Sequence, residues 1–369
     1  MSCLEAKGSQ LNVSVPILGT VLSVQANYYN VKLDCEVAHA GARPGNEALL
    51  CTRRSRLKKI GQQVMVGDRV QIEEPDWTGG RGAIAEVFPR RTELNRPPIA
   101  NADCILLVFA MAEPALEPLQ LSRFLVKAES AGLQVNVCLN KSDLASTAAQ
   151  QQWRARLNSW GYQPVLVSVR KGTGLAKLAV RLSQKTTVIS GPSGVGKSSL
   201  INHLIPTANL RTGTVSGKLS RGRHTTRHVE LFDLPEGGLL ADTPGFNQPE
   251  LDCLPTDLIQ YFPEARSRLS QANCQFADCL HHNEPNCAVK KEAWERYAHY
   301  LRFLQGAIDR QAALNHRPDE ESCLKQKTKA SGQQQYEPKL KTKKYRQGSR
   351  RTQQQALEAL YQDVDFFTS

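Results

Sequence analysis

An eight-residue phosphate-loop motif constrains the fold of this chain more than any other feature of its sequence. The segment fits the pattern G-x-x-x-x-G-K-[ST], follows a predicted strand at residues 186–190 and precedes a predicted helix that begins SSLINHL. Glycines let such a loop wrap phosphate groups with its N–H groups pointing inward, and the helix N-terminus adds positive potential. We therefore predict an α/β domain whose nucleotide-binding residues include Gly191, Pro192, Ser193, Gly194, Val195, Gly196, Lys197, Ser198 and Ser199.

A second element completes the predicted phosphate and magnesium site. Lys197 is expected to reach the β- and γ-phosphates, and the Ser198 hydroxyl is expected to bind Mg²⁺. A D-x-x-G element closes a predicted strand at residues 238–243. There Asp242 would hold Mg²⁺ through a water molecule, and the backbone N–H of Gly245 would sense the γ-phosphate.

An N-K-x-D element at the end of another predicted strand indicates which base is bound. Its residues are Asn140, Lys141, Ser142 and Asp143. A carboxylate can accept from the two adjacent donors of guanine, a pair that adenine lacks, so Asp143 would select GTP. Asn140 and Lys141 would brace the loop and cover the base, and Ser168 is predicted to lie in a second base-contacting loop. The element argues against the competing class, a P-loop ATPase or kinase.

The order of these elements along the chain predicts a circular permutation. A Ras-like domain runs from the phosphate loop through switch I and D-x-x-G to N-K-x-D and the base loop. Here the N-K-x-D element and the base loop precede the phosphate loop. All five elements belong to loops at the carboxyl ends of parallel strands, so joining the old termini and opening the chain elsewhere preserves the site. Switch II, the segment that begins with the D-x-x-G element, then leads directly into the C-terminal module, so we expect that the nucleotide state can move that module.

Three cysteines and a histidine lie within the fourteen residues 274–287. Zinc in structural sites prefers four sulfur or nitrogen ligands in a closed tetrahedron. We therefore predict one structural zinc ion, bound by Cys274, Cys279, His281 and Cys287. His282 is the alternative to His281 as the imidazole ligand. The remaining cysteines are expected to be thiols rather than disulfides.

Hydrophobic patterns divide the chain into five regions and predict a multidomain fold. Residues 1–12 are expected to be disordered, and five short alternating runs in residues 13–90 predict a small closed β-barrel, best matched by the OB-fold. In residues 95–250, apolar strands alternate with helices, which predicts a parallel sheet covered on both faces as the central α/β circularly permuted P-loop GTPase domain. Residues 251–315 are expected to form a mainly α zinc-binding domain, and residues 316–369 a basic, disordered tail.

The net charge of +12 is concentrated in the tail. Between Lys325 and Arg351 there are ten basic residues and one acidic residue, Glu337. Lysine and arginine release counterions from phosphates without needing a fold, so this segment is expected to bind a polyanion such as RNA; a solubilising end is the alternative. A second basic run, residues 53–59, is predicted to be a loop between barrel strands. It fits binding to a nucleic-acid backbone, or is simply a solvated surface.

Apolar runs and the N-terminal sequence bear on the compartment. The longest uncharged apolar run, residues 104–112, has nine residues, whereas about 20 are needed to cross a bilayer. The first ten residues contain no apolar signal core. We therefore expect a cytoplasmic monomer without a membrane partner.

Taken together, these motifs and their order resemble the circularly permuted GTPases that depend on the small ribosomal subunit, the RsgA family. The resemblance covers residues ~15–315 and includes the barrel, the permuted motifs and the cysteine cluster. It implies a late factor in maturation of the 30S subunit that contacts 16S rRNA, hydrolyses GTP to GDP when the subunit stimulates it, and then leaves. The alternative is an rRNA-binding P-loop protein that uses nucleotide as a structural switch with little turnover.

The catalytic arrangement departs from that of Ras. Phe246 follows the D-x-x-G element, where Ras-like enzymes place a glutamine that orients water. Phenylalanine cannot hydrogen-bond water, so another group must position the nucleophile. The stretch of residues 216–227 has switch I character and contains His224, the best nearby candidate, beside Thr225 and Thr226. One of these two threonines is expected to bind Mg²⁺, and catalysis is assigned to His224, Thr226 and Lys197.

Overall fold

The structure is a computed structural model, and two separate units make it up. The described residues are 16–34, 48–95, 98–206, 229–242, 250–290, 294–315, 324–328 and 334–338. The units are Met1–Asp309 and Arg310–Ser369. Within the described ranges, no helix combines the length and the apolar character that crossing a membrane requires.

Five strands close into the N-terminal barrel. They are β1 Ile17–Gln25, β2 Tyr28–Leu33, β3 Ala48–Arg53, β4 Arg69–Asp76 and β5 Arg81–Val87. The order is β1-β2-β3-β5-β4, and β4 pairs back with β1, which is the topology of the predicted OB-fold. Alternate side chains fill the interior, including Val31, Leu49 and Ile84, all with 0% exposure.

The basic run expected to be a loop contains a short helix, α1 Ser55–Lys59. Leu57 is its buried residue and packs into the barrel core. A single apolar anchor among charged residues is enough to seat one helical turn when the flanking strands hold its ends. The basic side chains of α1 are therefore displayed outward.

A buried ion pair attaches the barrel to the segment that follows it. Asp68 has 0% exposure and accepts hydrogen bonds from Arg90 at 2.7 and 3.0 Å and from the backbone N–H of Met65 at 2.7 Å. The segment then forms a small antiparallel pair of strands, β6 Glu93–Asn95 and β7 Pro98–Ala100. Both charges of the pair are satisfied, which is the condition for burying them at low cost.

The central domain is a six-stranded sheet in the order β10-β9-β8-β11-β13-β12. Its strands are β8 Cys104–Ala110, β9 Gln134–Asn140, β10 Val165–Leu166, β11 Thr186–Ser190, β12 Glu230–Asp233 and β13 Leu239–Asp242. Five strands are parallel, as predicted, but β12 is antiparallel to β13. The reason is the tight connection between them, closed by the bond from the Leu234 N–H to the Gly238 carbonyl, since parallel neighbours need a long crossover.

Four helices cover the two faces of this sheet, as the buried strands require. They are α2 Pro118–Ser130, α3 Thr147–Ser159, α4 Leu175–Leu182 and α5 Lys197–Leu204. Helices α2 and α3 contribute Phe124 and Leu157 to the core on one face, and α4 and α5 contribute Leu178 and Leu200 to the core on the other. In sheets of this kind a ligand binds at the carboxyl ends of the parallel strands.

The cysteine-containing module packs on the central domain. It includes a 3-10 turn at Leu258–Tyr261, α6 Pro263–Leu269 and α7 Tyr297–Asn315. Phe262 and Tyr300 are fully buried in its core, which also takes in Val126 from α2. The core of the module is therefore shared with the nucleotide domain.

Two short strands are described in the second unit, β14 Leu324–Thr328 and β15 Gln334–Pro338. They pair antiparallel with each other, from Leu324 opposite Pro338 to Thr328 opposite Gln334. The tail is predicted to be disordered, but these ten residues form a hairpin because their backbone groups pair with each other. The disorder predicted for the rest of the tail stays a prediction.

Candidate functional site: a nucleotide pocket and a cysteine–histidine cluster

The phosphate loop connects β11 to α5 with a backbone that needs glycine. Gly191, Gly194 and Gly196 have φ values of 144°, 80° and 93°. A Cβ at Gly191 would lie 2.1 Å from the carbonyl oxygen of Val108, and one at Gly196 would lie 2.5 Å from Nδ2 of Asn140. The loop is thus folded tightly against the ends of two neighbouring strands, which leaves its concave side to a ligand.

Lys197 is folded onto its own loop. Its Nζ donates to the carbonyl oxygens of Gly191 at 2.8 Å and Pro192 at 2.6 Å. Ser198 and Ser199 follow it in the first turn of α5 and are half-buried. A phosphate in the loop would compete for the ammonium donors, because a hydrogen bond between two charged groups is stronger than one to a neutral carbonyl.

Asn140 joins the N-K-x-D element to the phosphate loop. It is buried at the end of β9, and its Nδ2 donates to the carbonyl oxygen of Val195 at 2.9 Å. The backbone then turns sharply, since Lys141 has a φ of 54° and the Ser142 N–H bonds to the carbonyl of Val167 at 3.1 Å. Asn140 and Val195 are 55 residues apart in sequence, and this hydrogen bond joins the two motifs.

The carboxylate of Asp143 is held by the base loop. Ser168 is fully buried, and its hydroxyl donates to Oδ1 of Asp143 at 2.6 Å while accepting from the Lys171 N–H at 3.1 Å. The Ser168 hydrogen bond, with smaller help from the charges of Lys171 and Arg170, holds the pKa of Asp143 below its usual range. Asp143 is therefore ionised at neutral pH and can accept two hydrogen bonds from a base.

One contact of Lys141 could not be read from the sequence. Its Nζ donates to the carbonyl oxygen of Glu113, in the connection between β8 and α2. The same connection approaches the phosphate loop, where a Cβ on Gly194 would lie 3.8 Å from Pro114. No motif marks Glu113, because it contributes only a backbone carbonyl and lies 28 residues from its partner.

The remaining predicted nucleotide residues are described only in part. The backbone of Asp242 pairs with Ile189 of β11, so the D-x-x-G element begins on the strand beside the phosphate loop. His224, Thr225, Thr226, Gly245 and Phe246 lie outside the described residues. Their predicted roles in switch I and switch II stay predictions.

The cysteine–histidine cluster has the geometry of a four-ligand metal site. Nδ1 of His281 lies 3.5 Å from the sulfurs of Cys274 and Cys279 and 3.2 Å from that of Cys287. All four donor atoms lie within 4.8 Å of one another, so one ion could contact them all. His282, the alternative imidazole, is exposed and does not belong to the cluster.

The protonation states of these side chains suit the binding of a cation. Burial raises the pKa of Cys279 to about 12 and lowers the pKa of His281. The imidazole is therefore neutral and able to donate a lone pair, whereas the thiol would ionise only with a compensating positive charge.

Second contacts hold the cluster in place. The carboxylate of Glu284 accepts from the backbone N–H groups of Leu280 and His282 at 2.8 and 2.9 Å. From α7, Tyr297 donates to the carbonyl of His281 at 2.9 Å, and Tyr300 donates to that of Leu280 at 2.6 Å. The loop is thus braced on both sides of its histidine, as metal sites with oriented ligands require.

Comparisons with known proteins identify relatives over nearly the whole chain. The family model described as RsgA GTPase matches residues 87–252. A protein of Trichormus variabilis named "Small ribosomal subunit biogenesis GTPase RsgA" is 64% identical over 363 residues, which cover 95% of this chain and 98% of that protein. A Microcystis aeruginosa protein of the same name is 57% identical over 342 residues, 93% of each chain.

Two solved structures share the fold. One is described as YloQ, a circularly permuted GTPase, with a TM-score of 0.66 and 32% identity over 83% of this chain and 99% of that one. The other is YjeQ from Thermotoga maritima, with a TM-score of 0.66 and 30% identity over 80% of this chain and 99% of that one. These similarities agree with the permuted order of the nucleotide motifs.

Proposed function

The chain belongs to the RsgA family of GTPases, and we propose that it hydrolyses GTP during late maturation of the 30S ribosomal subunit, with the subunit stimulating the reaction. The family and its enzymatic class follow from relatives that span almost the entire chain and are named small ribosomal subunit biogenesis GTPases. Stimulation by the subunit is the finer part of the proposal. It is supported by Phe246, which leaves the chain without the usual water-orienting glutamine.

The hydrogen bond from Asn140 to the Val195 carbonyl is the observation that carries GTP as the substrate. It ties the element suited to guanine directly to the loop suited to phosphates. In this proposal Asp143 accepts from the guanine base, Lys197 contacts the β- and γ-phosphates, and Ser198 binds Mg²⁺ together with Asp242. A P-loop ATPase would have no need of an ionised carboxylate at the position of Asp143.

For catalysis, we propose that the subunit orders switch I. His224 would then orient the attacking water, and Thr226, or Thr225 in its place, would close over Mg²⁺. Mg²⁺ would neutralise the charge that develops between the β- and γ-phosphates. Intrinsic hydrolysis should be slow because this arrangement forms only with the partner present.

The second cofactor in the proposal is one structural zinc ion. Its ligands would be Cys274, Cys279, His281 and Cys287, whose thiols and imidazole are the donor set that zinc prefers in closed sites. The ion would supply the positive charge that turns the three thiols into thiolates. With four protein ligands the ion would have no site left for a substrate, so we assign it no part in hydrolysis.

The partners in this proposal are the 30S subunit, its 16S rRNA, and GTP or GDP. Exposed cations on α1 and the basic tail supply charges suited to RNA phosphates. We also propose a cytoplasmic monomer, in line with a role on ribosomal subunits.

Phosphate release from GTP, measured with and without 30S subunits, tests the proposed function. The wild-type protein should release phosphate slowly alone and faster with subunits, and ATP should not compete with GTP. Lys197→Ala should abolish both rates because phosphate contacts are lost. His224→Ala should bind GTP and the subunit normally but lose the stimulated rate.

Three results would count against parts of the proposal. Equal rates with and without subunits would favour the alternative, an rRNA-binding protein that uses nucleotide as a structural switch. Competition by ATP would remove Asp143 from the base site. A wild-type stimulated rate in His224→Ala would leave the function standing and remove His224 from catalysis.

A further inference from the structure

One glutamine on α3 reaches back to the loop that carries Asp143. Nε2 of Gln150 donates to the carbonyl oxygen of Ser142 at 2.8 Å and to that of Ala145 at 3.1 Å. These carbonyls belong to residues on either side of Asp143, eight and five positions before the glutamine. We call residues 141–145 the Asp143 loop. A single side-chain amide therefore bridges the two carbonyls that flank Asp143.

The backbone of the Asp143 loop needs support from outside. Lys141, at its start, has a φ of 54°, a left-handed conformation that residues other than glycine keep only where surrounding contacts hold them. The next three residues form one 3-10 turn, Ser142–Leu144, whose N-cap has no side-chain hydrogen bond. A turn of this length has few hydrogen bonds of its own, so contacts such as those of Gln150 help to fix the position of Asp143.

Helix α3 is a firm base for this glutamine, because both of its ends are held. At its N-terminus the Ser146 hydroxyl accepts from the Ala149 N–H at 3.2 Å. Near its C-terminus Leu157 is fully buried in the core of the nucleotide domain. Trp160, directly after the helix, is 1% exposed and donates from Nε1 to Glu295 at 2.9 Å. A side chain on a helix held in this way can fix a loop more precisely than another loop could.

Two more glutamines follow directly on the same helix and have a different environment. Gln151 and Gln152 are exposed, whereas Gln150 is half-buried. Successive side chains of an α-helix point about 100° apart, so one of three consecutive glutamines faces the Asp143 loop and the others turn away from it. The run of three identical residues gives no sign of which one is used, and the register of the helix singles out Gln150.

We propose that Gln150 is a positioning residue for guanine, which holds the Asp143 loop so that the Asp143 carboxylate meets both the N1–H and the exocyclic amine of the base. The inference rests on the proposed function, in which Asp143 accepts from guanine. Two parallel hydrogen bonds to one carboxylate require closer alignment than a single bond does. A shift of the loop would therefore reduce the pair to one bond, and selectivity for the exocyclic amine would be lost with the second.

The affinities of GDP and inosine diphosphate for the full-length protein test this inference, because inosine keeps the N1–H and lacks the exocyclic amine. The wild-type protein should bind GDP about 10- to 150-fold more tightly, the range for one hydrogen bond to a charged group. In Gln150→Ala this preference should fall about 3- to 10-fold, the effect of one neutral hydrogen bond. Gln151→Ala makes the same change one residue further along α3 and is the matched control, with wild-type preference expected.

Two more variants separate positioning from folding. Gln150→Lys keeps a donor of similar reach and should retain most of the preference for GDP. Gln150→Glu has the shape of glutamine but no donor at neutral pH, so its preference should fall at least as far as in Gln150→Ala. A merely structural role would lower the melting temperature and weaken binding of both nucleotides equally, which would leave the preference unchanged.

A wild-type ratio of GDP to inosine diphosphate affinity in Gln150→Ala overturns the inference, whatever the melting temperature of the variant. An equal loss of preference in Gln151→Ala also overturns it, because the effect would then belong to α3 as a whole. A wild-type protein that fails to distinguish the two nucleotides would contradict the proposed function itself. That result comes from the wild type alone, so the two failures are distinguishable.

Discussion

Single side chains at the nucleotide pocket act through partners that are distant in sequence. Asp143 accepts a hydrogen bond from Ser168, 25 residues away, which holds its carboxylate in place and lowers the pKa of its carboxyl. Asn140 depends on Val195 for its position. Sequence motifs identify Asn140 and Asp143, but the hydrogen bonds that orient them come from the packing of neighbouring strands.

Replacing Asp143 with asparagine should change which base is bound. The substitution Asp143→Asn exchanges an acceptor for a donor opposite the guanine N1–H and amino group, so affinity should shift from GTP toward XTP. Competition of the two nucleotides for the purified variant measures the shift. Unchanged selectivity for GTP would show that Asp143 does not contact the base.

Removing the Ser168 hydroxyl should shift the pH dependence of GTP binding. A hydrogen bond from Ser168 lowers the pKa of Asp143, so the carboxylate stays charged and competent until the pH falls below the usual aspartate range. In Ser168→Ala, GTP affinity should therefore begin to fall at a higher pH than in the wild type. Titrations of affinity from pH 7 to about pH 4 compare the two, with Ser183→Ala as a control. Coincident curves would contradict this account.

Among the elements, the C-terminal module is anchored to the nucleotide domain by a buried arginine. Arg296 has 0% exposure, and its Nε donates to Glu264 at 2.6 Å. Its guanidinium carbon lies 5.0 Å from the ring centroid of Trp160, which follows α3, and 4.7 Å from that of Phe262. The preceding residue, Glu295, accepts from Nε1 of Trp160 at 2.9 Å. The C-terminal module therefore packs against the end of α3, the helix that follows the N-K-x-D element.

Substitution of Arg296 should destabilise the protein strongly. In Arg296→Ala the carboxylate of Glu264 would remain almost buried without its partner, which costs about 3–5 kcal/mol of unfolding free energy. The double variant with Glu264→Gln should be less destabilised than the sum of the two single changes, because no unpaired charge is left. Urea unfolding of the three variants measures this difference. Strict additivity would mean that the pair does not interact.

Loss of one cysteine from the cluster should release the metal. Cys279→Ser should reduce bound zinc below one equivalent per chain and lower the melting temperature, since structural zinc can contribute ~10 kcal/mol or more. Cys253→Ser changes a cysteine of the same module outside the cluster and is the control. Metal content measured on purified protein, together with melting curves, gives the result. Full zinc retention after changing Cys274, Cys279 and Cys287 singly would refute the site.

In the first unit as a whole, the barrel and the cysteine module flank the nucleotide domain. The barrel is held by the Asp68–Arg90 pair and by the backbone pairing of Ser23 with Glu230, and the module by Arg296. The nucleotide state is predicted to move the cysteine-containing module through switch II. The described core of that module, however, includes Val126 from α2. Any movement driven by nucleotide must therefore overcome a buried contact, and such movement stays a prediction.

Deleting residues 325–369 should weaken association with the 30S subunit and flatten its salt dependence. Each duplex phosphate contact that is lost should reduce the slope of log affinity against log salt by about 0.9. A variant that keeps the tail but replaces its ten lysines and arginines with glutamine separates charge from length, and should behave like the deletion. Binding titrations at several salt concentrations measure the slope. A slope equal to that of the wild type in both variants would make the tail a solubilising end.

What the sequence alone determined is the set of local patterns: the phosphate loop, the N-K-x-D element, their permuted order, the alternating barrel strands and the close spacing of three cysteines and a histidine. These patterns are readable because spacing of a few residues dictates backbone path and ligand reach. Only the tertiary structure decided which distant groups meet. Examples are the hydrogen bond from Lys141 to the Glu113 carbonyl, the packing of buried Arg296 against Trp160, and the pairing of Ser23 with Glu230. Such contacts depend on strand register and domain packing, which arise from the summed burial of many side chains rather than from any single motif.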